Sequence, residues 1–293
     1  MEGQDVYMRQ SSFFEGWYFK HQCGEHTLAV IPGVHQDSYG RRAAFIQVIT
    51  ESRSHYVAYP YAAFRSQPDR LAVKIGRSVF TTQGCCLHID APGLSLHGHL
   101  SYGWITPLSG DIMGPFRHVP GMECRHDVIS LGHELHGGFV LDGETITMDG
   151  GTGYIEKDWG SAFPKHYLWT QCNTFSKPNT CIMAAAAIVP VGGAKLRGCT
   201  AVVFNEGVEH RLATYRGAHV ACASDTFLEL RQGAWRLTAE RLRAAPYRLY
   251  APAAGGMTRP IHEHAACTVE YRFYRGEQLL LEQVSDSAGF EWV

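Results

Sequence analysis

Three segments hold residue types suited to proton transfer. In the run Gly150 to Gly160, Glu156 and Asp158 flank Lys157. If that run is extended, alternate residues share a face, so the two carboxylates point the same way. A plain surface ladder with Lys157 would look the same, but Trp159, Phe163, Tyr167 and Trp169 follow closely and favour the wall of a pocket. In the second segment, Glu123, His126 and Asp127 lie within five residues, after a Gly/Pro-rich stretch. They suit acid–base work, or a polar network that satisfies buried backbone. The third puts Glu15 among five aromatics in seven residues: Phe13, Phe14, Trp17, Tyr18 and Phe19. A carboxyl surrounded by rings would be desolvated, kept protonated and able to donate. The rings would plug one end of a barrel or line an apolar ligand cavity.

Other chemistries find less support. His97 with His99, and His262 with His264, each put two imidazoles on one strand face, with His133 and His136 nearby in sequence. No third ligand is fixed by spacing, and Leu94, Leu96 and Leu100 on the opposite face suit an outward-facing pair. No metal and no cofactor are expected. The chain has no G-x-S-x-G elbow, no phosphate loop and no dinucleotide fingerprint in a βαβ setting.

The elements that must position these groups are strands. Apolar and polar residues alternate through 228–231 and 235–240 on either side of a Gly-containing turn. The same pattern flanks Asp142-Gly143, Asn205-Glu206-Gly207 and Arg275-Gly276, each a hairpin signal. Many short strands with tight turns imply antiparallel barrels or sandwiches. Thr106 to Gly121 reads as a long loop. Gly150 to Pro164 breaks the strand rhythm and marks the expected division into residues 1–152 and 153–293.

The 293 residues are 45% hydrophobic and 18% charged, enough apolar material for a sizeable core without disulfides. A net charge of -2 argues against a nucleic-acid surface. Nine scattered cysteines without a CxxC pair suit reduced thiols. No signal peptide is visible at the polar N-terminus. The most apolar stretch, 181–192, contains Pro190 and is too short to span a bilayer. These features point to a cytoplasmic protein without stable membrane insertion.

Several runs together resemble the tocopherol cyclase family: Phe14 to Lys20, Ile112 to Phe116, Met122 to Cys124, Gly153 to Ser161 with Phe163-Pro164-Lys165, and Ala288 to Glu291. The resemblance implies an all-β fold of two tandem lipocalin-like antiparallel β-barrel domains. It also implies an apolar pocket for a prenylated or polyene small molecule, with an alkene protonated and a phenol closing a ring. On that reading Asp158 or Glu156 is the acid, and Glu123 and His126 are candidates to accept the phenolic proton. Phe14, Glu15, Trp17, Tyr18, Phe116, Trp159, Phe163 and Trp169 line the site. A non-catalytic carrier of a hydrophobic molecule, a hydratase that admits water, and a metal-dependent barrel enzyme are the competing readings.

Overall fold

A computed structural model describes residues 11–191, 194–243, 247–253 and 256–293. Most of them are strand, as the two-residue period predicts. Twelve strands build the first sheet: β1 (Phe13–Cys23), β2 (His26–Gln36), β3 (Arg42–Thr50), β4 (Ser54–Pro60), β5 (Phe64–Ser66), β6 (Ala72–Ile75), β7 (Ser78–Thr81), β8 (Gly84–Ala91), β9 (Leu94–Tyr102), β10 (Cys124–Leu141), β11 (Glu144–Thr147) and β12 (Thr152–Gly160). Ten build the second: β13 (Tyr167–Cys172), β14 (Cys181–Val191), β15 (Ala194–Asn205), β16 (Val208–Ala213), β17 (His219–Ala223), β18 (Phe227–Gln232), β19 (Trp235–Arg243), β20 (Tyr247–Ala253), β21 (Gly256–Arg275) and β22 (Gln278–Trp292).

The two sheets share a plan. In each, a four-strand meander ends in a short 3-10 turn, Tyr61–Ala63 or Thr214–Arg216, and the last strand returns to pair with the first: β12 with β1, and β22 with β13. All pairings are antiparallel, and the architecture is the expected all-β, lipocalin-like pair. The turns form where their residues permit. Asp142 and Gly143 have φ of 51° and 92°, the conformation required of a two-residue hairpin whose twist matches its strands.

Strand parity sets three cores. Trp17, Phe19, Leu28, Val30, Ile46 and Ile155 point into the first barrel. Leu168, Ile182, Val203, Leu237, Tyr271 and Phe290 fill the second. The third core lies between the sheets, where Tyr18, Ala29, Val128, Leu131 and Tyr154 meet Trp169, Cys181, Met183, Val202 and Ala265. Burying each large side chain there contributes about 1.5–3 kcal/mol. Lys20 is buried in the same interface, and its Nζ donates to the Ser287 carbonyl at 2.7 Å and to Gln171 Oε1 at 3.4 Å.

The run 150–164 is not a break. β12 lies in the middle of the first sheet, paired on both sides, and the change of sheet comes after Gly160, in the link 161–166. The division at 152/153 thus falls at the start of a central strand. Gly153 serves close packing rather than punctuation: a Cβ there would lie 2.1 Å from His133 Nε2. The stretch 103–123 is irregular apart from the 3-10 turn Gly114–His118, as expected. His97 and His99 lie on the outer face of β9, opposite buried Leu94, Leu96 and Leu100. The side chains of His262 and His264 lie outside the described residues. No helix among the described residues is long and apolar enough to cross a membrane. All nine cysteines are free.

Candidate active site

β1, β12 and β10 lie side by side, and their register builds the site. Tyr18 stands across from Glu156, and Gly16 across from Asp158. On the other side of β12, His126 stands across from Asp158 and Cys124 across from Gly160. The face shared by Tyr154, Glu156 and Asp158 looks away from the first barrel's interior and toward the second sheet. A cavity of about 240 Å³ opens there, with walls from both sheets. Gly16, lacking a side chain, leaves room beside Asp158. The second sheet contributes Tyr167, Trp169, Ala185 to Ala187, Thr200 and Glu291.

The polar heart is compact. His126 Nδ1 lies 3.0 Å from Asp158 Oδ1, and His126 Nε2 lies 3.8 Å from Glu156 Oε2. Glu156 Oε2 also accepts from the Tyr154 hydroxyl at 2.6 Å and from Trp169 Nε1 at 3.1 Å. Burial pushes the Glu156 carboxyl up to about 7. The His126 charge opposes that shift, Asp158 reinforces it, and the two donors moderate it. Burial works against an imidazolium at His126, but Asp158 and Glu156 beside it prevail and raise it to about 9. Burial, with Asp158 and Glu156 nearby, holds the Cys124 thiol well above its usual range, so it stays protonated. The cluster therefore stores exchangeable protons in a poorly solvated, ring-lined space at neutral pH.

The rings are placed by contact. Phe163 packs edge-on against Phe14 at 5.1 Å and against Tyr167 at 5.8 Å, and Tyr18 against Trp169 at 5.5 Å. The 103–123 stretch closes the cavity with Ile112, Met113 and Phe116. The second sheet straps it down. Arg211 donates to the Asp111 and Gly110 carbonyls at 2.7 and 2.9 Å, and Glu209 takes the Ser109 N–H at 2.7 Å. Gly114 is at φ 53°, and a Cβ there would fall 2.6 Å from the Tyr215 ring.

Of the residues expected at the site, Phe14, Tyr18, Phe116, His126, Glu156, Asp158, Phe163 and Trp169 come together at this cavity. Four do not. Trp17 points into the first barrel, because odd positions of β1 face that way. Glu15 is on the same face, 2.5 Å from Lys157 Nζ, so a countercharge meets it rather than a shell of rings. Trp159 shares that side, stacked near Lys157 at 5.1 Å. Glu123 precedes β10, and its backbone carbonyl is what binds, accepting from Ser161 and Ala162. Tyr167, expected in a pocket wall, lines the cavity, whereas Tyr154, Cys124, Tyr215 and Glu291 were not anticipated as site residues. Tyr154 was within reach of the period-two rule, being two residues before Glu156.

Donor atoms of His126, Glu156 and Asp158 lie within 4.8 Å of one another, close enough to hold a cation. The same groups hydrogen-bond within the cluster: His126 with Asp158, and Glu156 with Tyr154 and Trp169.

The tocopherol cyclase-like family matches residues 113–291, a span that contains His126, Glu156, Asp158, Trp169 and Glu291. The chain belongs to that family. A probable chloroplastic tocopherol cyclase of Oryza sativa subsp. japonica is 32% identical over 77 residues, 26% of this chain but only 16% of that relative's length. Solved structures share the fold across the whole chain. An AttH-like protein of Nitrosomonas europaea has TM-score 0.54 and 12% identity, covering 99% of this chain and 94% of its own. Kievitone hydratase from Nectria haematococca has TM-score 0.55 and 9% identity, covering 96% and 89%. CghA has TM-score 0.56 and 11% identity, covering 97% and 89%. In this member of the family, His126, Glu156 and Asp158 lie where both sheets wall the cavity.

Proposed function

We propose that this tocopherol cyclase-like chain is an intramolecular cyclase. Its substrate is a prenylated hydroquinone or a related isoprenoid or polyene, held in the cavity between the sheets. The observation that carries the reading is Glu156: a buried carboxyl raised to about 7, set among rings and hydrogen-bonded by Tyr154 and Trp169. Protonating an alkene needs an acid held against it in a dry site. Glu156 gives its proton to the less substituted alkene carbon, and a tertiary cation forms. Aromatic faces such as Tyr18, Trp169 and Phe163 stabilise that cation, by about 2 kcal/mol or more each when desolvated. The phenol oxygen attacks, and its proton returns to the Glu156 carboxylate. The product is an isomer, and the acid is restored.

His126 takes a different part from the expected one. Raised to about 9, it already carries its proton at neutral pH and is a poor acceptor. We assign it, held by Asp158, to balancing the charge on Glu156 as the proton leaves and returns. The two sheets, joined by the 161–166 link, are proposed as the two domains, and the free thiols favour the cytoplasm.

The test is incubation with a prenylated hydroquinone. A ring-closed product of unchanged mass, lost in Glu156→Gln, supports the cyclase. The largely apolar lining also suits a carrier. Tight binding without conversion, unaffected by Glu156→Gln, would replace the first reading with that one.

A further inference from the structure

The outer face of the first barrel carries a second group of metal-ligating side chains. β9 offers His97 and His99, whose spacing alone fixes no third ligand. The register of the sheet supplies two more. On β8, His88 stands directly across from His97, and Cys86 directly across from His99. Opposed residues of an antiparallel pair have Cβ atoms about 4.5–5.5 Å apart on one face. The alternating Cys85, Leu87, Ile89, Leu96 and Leu100 are buried on the inner face, so these four side chains stand on anchored strands. None of the four lines the cavity between the sheets.

The His88 and His97 rings already meet edge to face, with centroids 4.5 Å apart. His97 Nε2 donates to Asp90 Oδ1 at 2.8 Å, which leaves the Nδ1 lone pair of the neutral ring to ligate. A carboxylate on the far nitrogen is the usual support of a metal-bound imidazole. His99 Nε2 is turned to Ser101 Oγ at 3.1 Å, and Gly138, across from it on β10, puts no side chain in its way. Exposed side chains change rotamer within nanoseconds, so the register, rather than the present rotamer of His99, sets which donors can converge. We infer that His88, His97, His99 and Cys86 bind a Zn²⁺ ion on the outer face of the first barrel, with Asp90 orienting His97. Imidazole and thiolate together favour zinc over magnesium or calcium. On binding, Cys86 gives its thiol proton to solvent. Its thiolate and the Asp90 carboxylate then offset the dication and the Arg77 charge near His88. With all four positions filled by protein, the ion ties β8 to β9 and keeps no open position for chemistry. The inference is independent of the reaction in the cavity.

Co²⁺ is the probe, because a thiolate ligand gives it a near-ultraviolet charge-transfer band and a tetrahedral site gives it strong visible bands. The full chain, freed of metal with a chelator, should bind Co²⁺ with both signatures, and Zn²⁺ should displace it. Cys86→Ser should lose the charge-transfer band. His88→Asn, His97→Asn and His99→Asn should each weaken binding by roughly tenfold or more. Asp90→Asn should keep the band and weaken binding by about 10- to 100-fold, the scale of an orienting partner. All five substitutions lie on the outer face and leave the barrel core intact, so folding should persist. Cys124→Ser removes the thiol beside Asp158 and should leave the band unchanged. No charge-transfer band in wild type, a band kept in Cys86→Ser, or binding unaltered in all three histidine variants overturns the inference. A band lost in Cys124→Ser instead puts the ion at the acid cluster and overturns it as well.

Discussion

His126 faces Asp158 directly across two neighbouring strands, and its Nδ1 donates to Asp158 Oδ1 at 3.0 Å. That bond fixes the ring so that Nε2 points toward Glu156. Asp158→Asn keeps the shape and removes the charge that, after burial, most affects the imidazole. His126 should then titrate at lower pH, and turnover should fall by about 10²-fold or more, the usual scale for an acid–base group. Imidazole proton resonances followed through a pH titration, alongside kcat, check both. An unshifted His126 would show that Asp158 does not hold its proton.

Glu156 gives the rate its pH dependence. The acid form is the active one, so kcat should fall as pH rises through about 7. Tyr154 donates to the carboxylate and favours its ionised form. Tyr154→Phe removes that donor, so Glu156 holds its proton to higher pH and the falling limb moves in the alkaline direction. A limb that stays put or moves toward acid contradicts the assignment. Glu156→Gln should leave no pH-dependent turnover.

The fold was legible because its signals are local. Alternation through 228–240 and the Asp142-Gly143 turn state strands and hairpins within a few residues. The pairing of Glu156 with Asp158 was legible for the same reason. The face of β1 was not. Phe14, Trp17 and Tyr18 look alike in sequence, and a one-residue change of register would exchange cavity and barrel interior. His126 could be named as an acid–base residue, but its place across from Asp158 depends on β10 and β12 being neighbours. That adjacency is set by packing far along the chain. The shared cavity depends further on two sheets docking, which no local period encodes.

The strap over the cavity depends on Arg211. Its guanidinium holds the carbonyls of Gly110 and Asp111, close in sequence to the cavity-lining Ile112 and Met113. Arg211→Ala removes these bonds and leaves Glu209 without its nearest cation. The stretch should become more open to proteolysis near Arg117, and KM for an apolar substrate should rise several-fold. Folding should persist, because both barrel cores are untouched. Proteolysis and KM identical to wild type would show that Tyr215 and Glu209 suffice to hold the strap.

A second set of buried groups, inside the first barrel, predicts acid sensitivity. His21 Nε2 lies 2.7 Å from the Tyr102 hydroxyl, and the His133 ring packs 4.4 Å from the Tyr102 ring. Burial lowers His21 to about 4; burial, and then His21, lower His133 to about 3. In the unfolded chain both titrate near 6.5. Below that pH the unfolded chain takes up protons that the folded one refuses. The stability from these neutral rings is therefore full above about 6.5 and lost progressively as pH falls toward 4. Glu156 acts in the opposite sense over part of this range, since its folded-state value is raised. The informative quantity is thus the difference between wild type and His133→Asn. Denaturant unfolding at pH 7.5 and pH 5 should show a smaller acid loss in the variant. An equal loss in both would mean that His133 is not excluded from protonation in the folded barrel.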